Sequence, residues 1–335
     1  MDISQDRHYL KLYSILLIII NTKIKLLRKD IIHVVNNKTL DRKKLKMGFH
    51  VSITGSLSNS IKNAEEIGCT AFQIFTRNPR GWTTKPLAMK DVEEFKRKIK
   101  NSPIDKKNVV VHMPYIPNFA APDSESYDKS KKVLSEEIIR CYLLEIPYLI
   151  LHLGSHLGFG EKNGIKQIVD ACNFALDNFN SSYRRHLQLN ILIENSAGQK
   201  NSVGSNFNEM KDILDQLNNK TFGVCLDTCH AFASGYDIRS SEKVIETMNN
   251  FNEIINIENL KVLHLNDSKG KINENRDRHQ HIGLGSIGKE GLAEFLKHRY
   301  IQNIPIIMET PNDGIRGDKE NIRVVLDLIE DQRLI

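Results

Sequence analysis

The amino-acid sequence predicts a (β/α)8 barrel, a TIM barrel, on three observations. Eight short apolar runs recur after residue 46, each followed by a stretch whose apolar side chains have helical spacing. The runs are continuously apolar rather than alternating, as in parallel strands covered on both faces. Six of them end at or beside a His, Asp or Glu, and a closed barrel gathers the carboxyl ends of all its strands on one face. An open doubly wound sheet is the alternative architecture.

In chain order the predicted strands are 49–53, 71–75, 109–112, 148–153, 190–194, 222–227, 261–265 and 304–309. The helical stretches are 56–68, 89–100, 129–145, 165–179, 206–217, 241–257, 289–298 and 319–329. Starts at Ser, Asn or Asp and a stop at Gly68 supply the caps. Gly283-Leu-Gly-Ser-Ile-Gly288 matches a dinucleotide-binding glycine pattern. It follows no strand, and no strand with an acidic end comes about 20 residues later, so it reads as a tight loop entering a helix.

Composition is that of an ordinary globular chain, with 40% hydrophobic and 26% charged residues among 335. The formal charge of +6 is uneven: residues 1–46 carry eleven Lys/Arg against four Asp, so the other 289 sum to −1. Any phosphate binding by the main body must then come from local clustering or from bound cations. The chain divides into a basic, non-catalytic N-terminal extension, 1–46, and a single barrel domain, 47–335. The extension reads as a basic amphipathic helix, a targeting segment, or codons upstream of a start at Met47. Its apolar run Tyr13-Ser-Ile-Leu-Leu-Ile-Ile-Ile20 is shorter than the ~20 residues of a membrane span, so no membrane association is expected. Cys69, Cys141, Cys172, Cys225 and Cys229 form an odd set without a Cys-x-x-Cys pair. That argues against a disulfide framework and a thiolate zinc site, and for a reducing compartment.

The chemistry lies at the strand ends. They carry His112, His152, Glu194, Asp227, His264 and Glu309; His230 follows Asp227 by three residues, and Asp277-Arg278-His279 precedes the last strand. Taken singly, a buried His or Glu is more often a hydrogen-bonded structural residue than a ligand, and Asp227 could equally cap a helix. Nine such groups on one barrel face are another matter, because together they would be costly to bury without cations. Five imidazoles and four carboxylates without thiolates favour zinc, with manganese or iron also suited. Nine ligands exceed the needs of one ion. Two or three ions are the natural count, an arrangement suited to phosphoester hydrolysis. His156 and His281 read as supporting residues rather than ligands.

Two loops point to nucleic acid. Thr76-Arg-Asn-Pro-Arg-Gly-Trp-Thr-Thr-Lys85 combines cations with the only tryptophan, and Pro114-Tyr-Ile-Pro117 offers an aromatic and an apolar wedge. Alone, either loop is as readily an ordinary rim segment.

With these residues in hand, the chain resembles the endonuclease IV family of apurinic/apyrimidinic (abasic-site) endonucleases. The resemblance runs from Met47 to the last helix through Gly48-Phe-His-Val-Ser52, Phe75-Thr-Arg-Asn78, Leu151-His-Leu-Gly-Ser-His156, Ile193-Glu-Asn-Ser-Ala-Gly198, Cys225-Leu-Asp-Thr-Cys-His-Ala-Phe232, His264-Leu-Asn-Asp267, Asp277-Arg-His279 and Glu309-Thr310. It implies three zinc ions per chain. His112, His152 and Glu194 would serve the first; Glu194, Asp227, His264 and Glu309 the second; His230, Asp277 and His279 the third. It further implies a hydroxide between the first two ions that attacks the phosphorus 5′ to an abasic sugar, with Glu194 bridging and Glu309 orienting or deprotonating it. The products implied are a 3′-hydroxyl and a 5′-deoxyribose phosphate, with repair of blocked 3′ ends besides. Arg80, Tyr115 and Ile116 are the implied DNA contacts, entering a bent duplex whose damaged nucleotide is flipped out. The flanking Pro114, Pro117 and Gly81 depart from the family pattern. The expected enzyme is a monomer, in an intracellular compartment that holds DNA, acting in base excision repair. The rival readings are a sugar isomerase or epimerase using Glu194, Asp227, His264 and Glu309 around one or two ions, and a lesion binder without catalysis. The extra set His230, Asp277 and His279 and the Arg80 loop argue against the first, and the intact ligand set against the second.

Overall fold

Each apolar run becomes a strand, and the strands close on one another. The computed structural model describes residues 45–183, 188–218 and 220–330. Its strands are β1 (Met47–Phe49), β2 (Phe72–Ile74), β3 (Val109–His112), β4 (Tyr148–His152), β5 (Asn190–Glu194), β6 (Phe222–Asp227), β7 (Leu260–His264), β8 (Asp267–Ser268), β9 (His279–Gln280) and β10 (Ile306–Met308). Eight of these form one parallel sheet in the order β1-β10-β7-β6-β5-β4-β3-β2. A parallel bridge between His50 and Gln73, with the Val51 N–H donating to the Gln73 carbonyl at 2.8 Å, joins β1 to β2 and shuts the barrel. The closed form, and not the open doubly wound sheet, is therefore the architecture. The short antiparallel pair β8 and β9, which the sequence did not signal, stands beside the barrel mouth.

The helices are α1 (Asn59–Ile67), α2 (Met89–Lys100), α3 (Glu125–Leu144), α4 (Glu161–Tyr183), α5 (Phe207–Leu217), α6 (Thr228–Ala233), α7 (Ser241–Ile254), α8 (Gly288–Lys297) and α9 (Asp318–Glu330). Helix α1 stops at Gly68, whose φ of 95° is the left-handed conformation glycine adopts without a Cβ clash. Helix α3 begins four residues earlier than the apolar spacing predicts. Ser124 caps it by accepting from the Tyr127 N–H at 3.1 Å, and a cap can start a helix within a polar stretch. Asn206 and Ser240 cap α5 and α7 in the same way. The brief α6 was not predicted, because six residues are too few to show periodicity.

The barrel is plugged by a layer of fully buried side chains, one from almost every strand run: Ala71, Val110, Ile150, Leu192, Cys225, Val262 and Ile307. On β1 the Ile307 partner is Gly48, where a Cβ would lie 1.9 Å from the Ala71 carbonyl oxygen, so only glycine lets the closing strands approach. Side chains on a strand return to one face every second residue. Two residues beyond each plug residue come His50, Gln73, His112, His152, Glu194, Asp227, His264 and Glu309. The apolar plug thus forms the floor beneath a polar ring.

The barrel begins before Met47. Leu45 is 2% exposed, and its carbonyl accepts from the Thr70 hydroxyl at 2.6 Å. The Lys46 carbonyl accepts from the Ile306 N–H at 2.7 Å. The Tyr13 to Ile20 run lies outside the described residues, among which no helix is long and apolar enough to cross a membrane. All five cysteines are free and buried.

Candidate metal centre

All nine strand-end and loop groups singled out from the sequence converge at the barrel mouth. Their potential ligand atoms gather in three clusters: His112, His152 and Glu194; Glu194, Asp227, His264 and Glu309; and His230, Asp277 and His279; two further groupings bring the Cys225 thiol beside Glu194 and His264 and the Cys229 thiol beside Asp227 and His279. Glu194 is 1% exposed and joins the first two. Its Oε2 faces His112 Nε2 at 3.4 Å and His152 Nε2 at 3.1 Å, while its Oε1 faces His264 Nδ1 at 2.8 Å. Glu309 Oε2 and Asp227 Oδ2 lie 3.4 and 3.8 Å from that same His264 nitrogen. In the third cluster the Nε2 atoms of His230 and His279 both lie 3.3 Å from Asp277 Oδ1.

The histidine tautomers are set from behind. His112 Nδ1 donates to the Met113 carbonyl at 2.7 Å, His230 Nδ1 to the Asn195 carbonyl at 2.9 Å, and His279 Nδ1 to the Glu309 carbonyl at 3.1 Å. Each bond leaves the other ring nitrogen aimed into its cluster. His264 is turned the other way, with Nε2 donating to the Gln73 side-chain oxygen at 2.9 Å and Nδ1 facing the carboxylates. Each of these nitrogens faces a carboxylate oxygen favourably only with a proton or a metal ion between them.

Two observations fit a metal. Ligands about 2.1 Å from a tetrahedral ion sit roughly 3.4 Å apart, close to most of these separations. The Nε2 atoms of His230 and His279 are buried and accept no hydrogen bond. Burial alone would lower the His230 pKa, yet the carboxylates of Asp227 and Asp277 outweigh it and hold the imidazole well above its usual value. Burial would likewise raise Glu194, but the imidazoles of His152 and His264 keep it well below the ordinary carboxylate range. Glu194, Asp277 and Glu309 stay ionised and demand positive charge at these nitrogens.

Asp227 serves twice. Its Oδ1 caps α6 by accepting from the His230 N–H at 2.8 Å, and its Oδ2 turns to the second cluster. The capping role and a candidate ligand role are therefore compatible, one oxygen being left for each. Asp277 and His279, two apart on an extended segment, share the third cluster as their spacing suggested.

A model of the family described as xylose isomerase-like TIM barrel matches residues 61–332. A protein named probable endonuclease 4 from Nitrosopumilus maritimus is 51% identical over 280 residues, 83% of this chain and 98% of that one. The crystal structure of endonuclease IV from Thermus thermophilus superposes with a TM-score of 0.74 at 31% identity, covering 85% of this chain and 99% of that one. The chain belongs to the endonuclease IV family. A D-tagatose 3-epimerase-like protein, at 16% identity over 87% of this chain and all of that one with a TM-score of 0.63, shares the fold alone.

Among features of this endonuclease IV family member that the sequence reading missed is the second rank of polar groups. Gln73 Nε2 donates to Glu309 Oε1 at 2.7 Å, so one side chain holds both Glu309 and His264. Asn266 donates to Asp227 Oδ2 at 2.7 Å and accepts from the Glu309 N–H at 2.8 Å. Asn195 accepts from the Asp227 N–H at 2.7 Å. His50 lies 3.8 Å from Glu309 Oε1 and against the Phe75 ring. The two-residue offset from Ala71 and Gly48 would have pointed to Gln73 and His50.

The cleft over the clusters has a volume of about 820 Å³ and is lined by Tyr115, Lys269, Arg278 and Arg316 as well as by ligand candidates. Tyr115 is 63% exposed and packs edge-on against Phe75 with centroids 5.2 Å apart. Arg80 is exposed on the neighbouring loop, and Ile116 is half-buried. Partial desolvation of the hydroxyl beside the cleft raises the Tyr115 pKa although the ring is largely exposed, and the Glu309 carboxylate adds to it, so the phenol stays neutral. His281 stands apart from the clusters, with Nε2 donating to Asp313 at 2.9 Å and Nδ1 accepting from Asn321 at 3.1 Å. His156 Nδ1 accepts from the Gly158 and Gly160 N–H groups and braces its own loop. The glycine-rich stretch 283–288 is a loop leading into α8, gathered around Asp267, whose carboxylate accepts from the Gly285 and Ile287 N–H groups.

Proposed function

We propose that the chain is a DNA-repair endonuclease that hydrolyses the phosphodiester 5′ to an abasic site, leaving a 3′-hydroxyl and a 5′-deoxyribose phosphate, and that it also clears blocked 3′ ends. The observation that carries this reading is the convergence of nine imidazoles and carboxylates in three clusters, two of them joined by the separate oxygens of Glu194. The likeness to proteins named endonuclease 4 supports it.

In this reading His112, His152 and Glu194 hold one zinc ion, Glu194, Asp227, His264 and Glu309 a second, and His230, Asp277 and His279 a third. Manganese or iron would suit the same donors. Ions bound there supply Lewis acidity for the phosphoryl group and lower the pKa of water to about 7. The chain's residues supply the positioning. Glu194 spans the first two clusters and fixes their spacing. Glu309, held by Gln73 and open to the cleft on one side, orients the attacking water. Asp277 and His279, on the β9 side of the mouth, would with His230 hold the ion that stabilises the departing oxygen.

The substrate partner is double-stranded DNA carrying an abasic site. Arg80 would contact phosphate, and Tyr115 and Ile116 would enter the gap where a base is missing and stacking is weakest. The enzyme would act as a monomer, inside the cell, in base excision repair.

The purified protein should nick a duplex with one synthetic abasic site without added magnesium and should hold near three zinc ions. Glu309→Gln and Asp227→Ala should each lower nicking by on the order of 10²-fold or more, as expected when metal ligands or their orientation are lost. Unchanged nicking by both variants would refute the assignment. A single exchangeable manganese, sugar epimerisation and no nicking would favour the isomerase reading. The separate cluster of His230, Asp277 and His279 argues against that outcome.

A further inference from the structure

The loop that carries Tyr115 is pinned at two points. On one side the Tyr115 N–H donates to the Pro79 carbonyl at 3.1 Å, tying it to the loop after β2. On the other, the Asn118 carboxamide grips the loop after β4. Its Oδ1 accepts from the Ser155 N–H at 2.9 Å and from the Ala120 N–H at 3.1 Å, and its Nδ2 donates to the Ser155 carbonyl at 3.0 Å. The Asn118 N–H meanwhile donates to the Ser130 hydroxyl on α3 at 3.0 Å.

The seat for this carboxamide is Gly154. A Cβ there would stand 2.1 Å from Asn118 Oδ1 and 3.2 Å from its Cα, and the Gly154 φ of 91° is itself suited to glycine. Gly154 lies two residues after His152, so the grip fastens the Tyr115 loop to the strand that delivers a candidate ligand. Between the two pins lie only Ile116 and Pro117. Proline fixes its own φ and holds the residue before it extended. The prolines beside Tyr115 and Ile116 therefore stiffen the span instead of disturbing it.

We propose that Asn118, seated on Gly154, is a positioning residue for duplex recognition: it holds Tyr115 and Ile116 at a fixed height over the metal clusters. The assignment rests on the abasic-site reading given above and deepens it. A pre-ordered wedge loses little conformational entropy on entering DNA, so its loosening weakens binding more than turnover. The metal clusters do not touch Asn118, and hydrolysis of a small phosphodiester should not need it.

The test uses the full chain loaded with zinc, as wild type, Asn118→Ala, Asn118→Asp and Gly154→Ala. Hydrogen exchange is read over residues 113–120, and KM and kcat are measured on a duplex with a tetrahydrofuran abasic analogue. Turnover of bis(p-nitrophenyl) phosphate and thermal unfolding are followed alongside. Asn118→Ala should exchange faster over 113–120 with the barrel strands unchanged, and its KM should rise about tenfold for the loss of these hydrogen bonds. Its kcat and small-ester turnover should stay within about twofold of wild type, as for uniform binding energy removed. Asn118→Asp keeps the two accepted bonds and should fall between, and Gly154→Ala, which fills the seat of the carboxamide, should likewise speed exchange over 113–120. Unchanged exchange over 113–120 in Asn118→Ala overturns the grip whatever the substrate. Faster exchange with an unchanged duplex KM, or with small-ester turnover falling in step, overturns the role in DNA recognition. Wild-type protein that turns over the small ester but leaves the abasic duplex intact would instead overturn the parent reading, and with it this one.

Discussion

At the scale of single residues, the centre is governed by how each candidate ligand is held from behind. Gln73 is the clearest case, since one carboxamide binds Glu309 and His264 together. Gln73→Ala should lower zinc affinity or nicking by about 10- to 100-fold, as losses of such supporting groups do; metal content and nicking rate check this. The pH dependence follows from His230. Its pKa in the folded, ion-free chain is raised by Asp227 and Asp277 against the lowering by burial. A raised folded pKa adds stability to the ion-free chain that is full below the unfolded value of about 6.5 and is lost as pH rises through the folded one. The same proton competes with zinc for Nε2. Zinc binding at the third cluster should therefore release protons and tighten as pH rises toward the folded pKa, which calorimetry in buffers of different ionisation enthalpy would measure. Zinc affinity at that cluster unchanged between about pH 6 and 8 would contradict the coupling.

At the scale of elements, the barrel closes where β1 meets β2, and there its tolerance is smallest. Gly48→Ala places a methyl group on the Ala71 carbonyl oxygen, and backbone can yield only by shifting the strand. A loss of about 1–3 kcal/mol is expected from such overpacking, readable as a lower urea midpoint with unchanged slope. The extension 1–46 is proposed as non-catalytic, yet Leu45 and Lys46 belong with the barrel edge. A chain starting at Leu45 should keep the nicking rate of the full chain within about twofold. One starting at Met47 loses the buried Leu45 side chain and should unfold about 2 kcal/mol more easily. Equal stability of the two truncations would show that Leu45 contributes nothing.

For the molecule as a whole, four carboxylates and five imidazoles are concentrated over an apolar plug, and bound cations would relieve that crowding. Chelation should lower the thermal midpoint of the protein, and zinc should restore it in a concentration-dependent way. DNA affinity should fall steeply with salt as phosphate contacts release counterions, although the barrel region as a whole carries slightly negative charge. A flat salt response would argue against a phosphate-binding face.

The sequence by itself determined the eight barrel strands, a parallel α/β architecture with the barrel as its expected form, and the nine groups of the centre. All of these rest on local periodicity and on one topological rule, that the carboxyl ends of barrel strands share a face. Six of the candidate ligands could be read because each sits two residues past a buried apolar side chain, as Glu194 does past Leu192 and His112 past Val110, while His230, Asp277 and His279 were read from their spacing beside the strand ends. What only the tertiary structure decided is how groups far apart in sequence face one another. Gln73 reaching Glu309, Asn266 reaching Asp227, and Asn118 gripping Ser155 over Gly154 are contacts across 236, 39 and 37 residues. No periodicity encodes such pairs, since an amide side chain reads alike on a surface loop and beneath a ligand. Helix α6 and the β8–β9 ribbon escaped for the opposite reason, being too short to repeat any pattern.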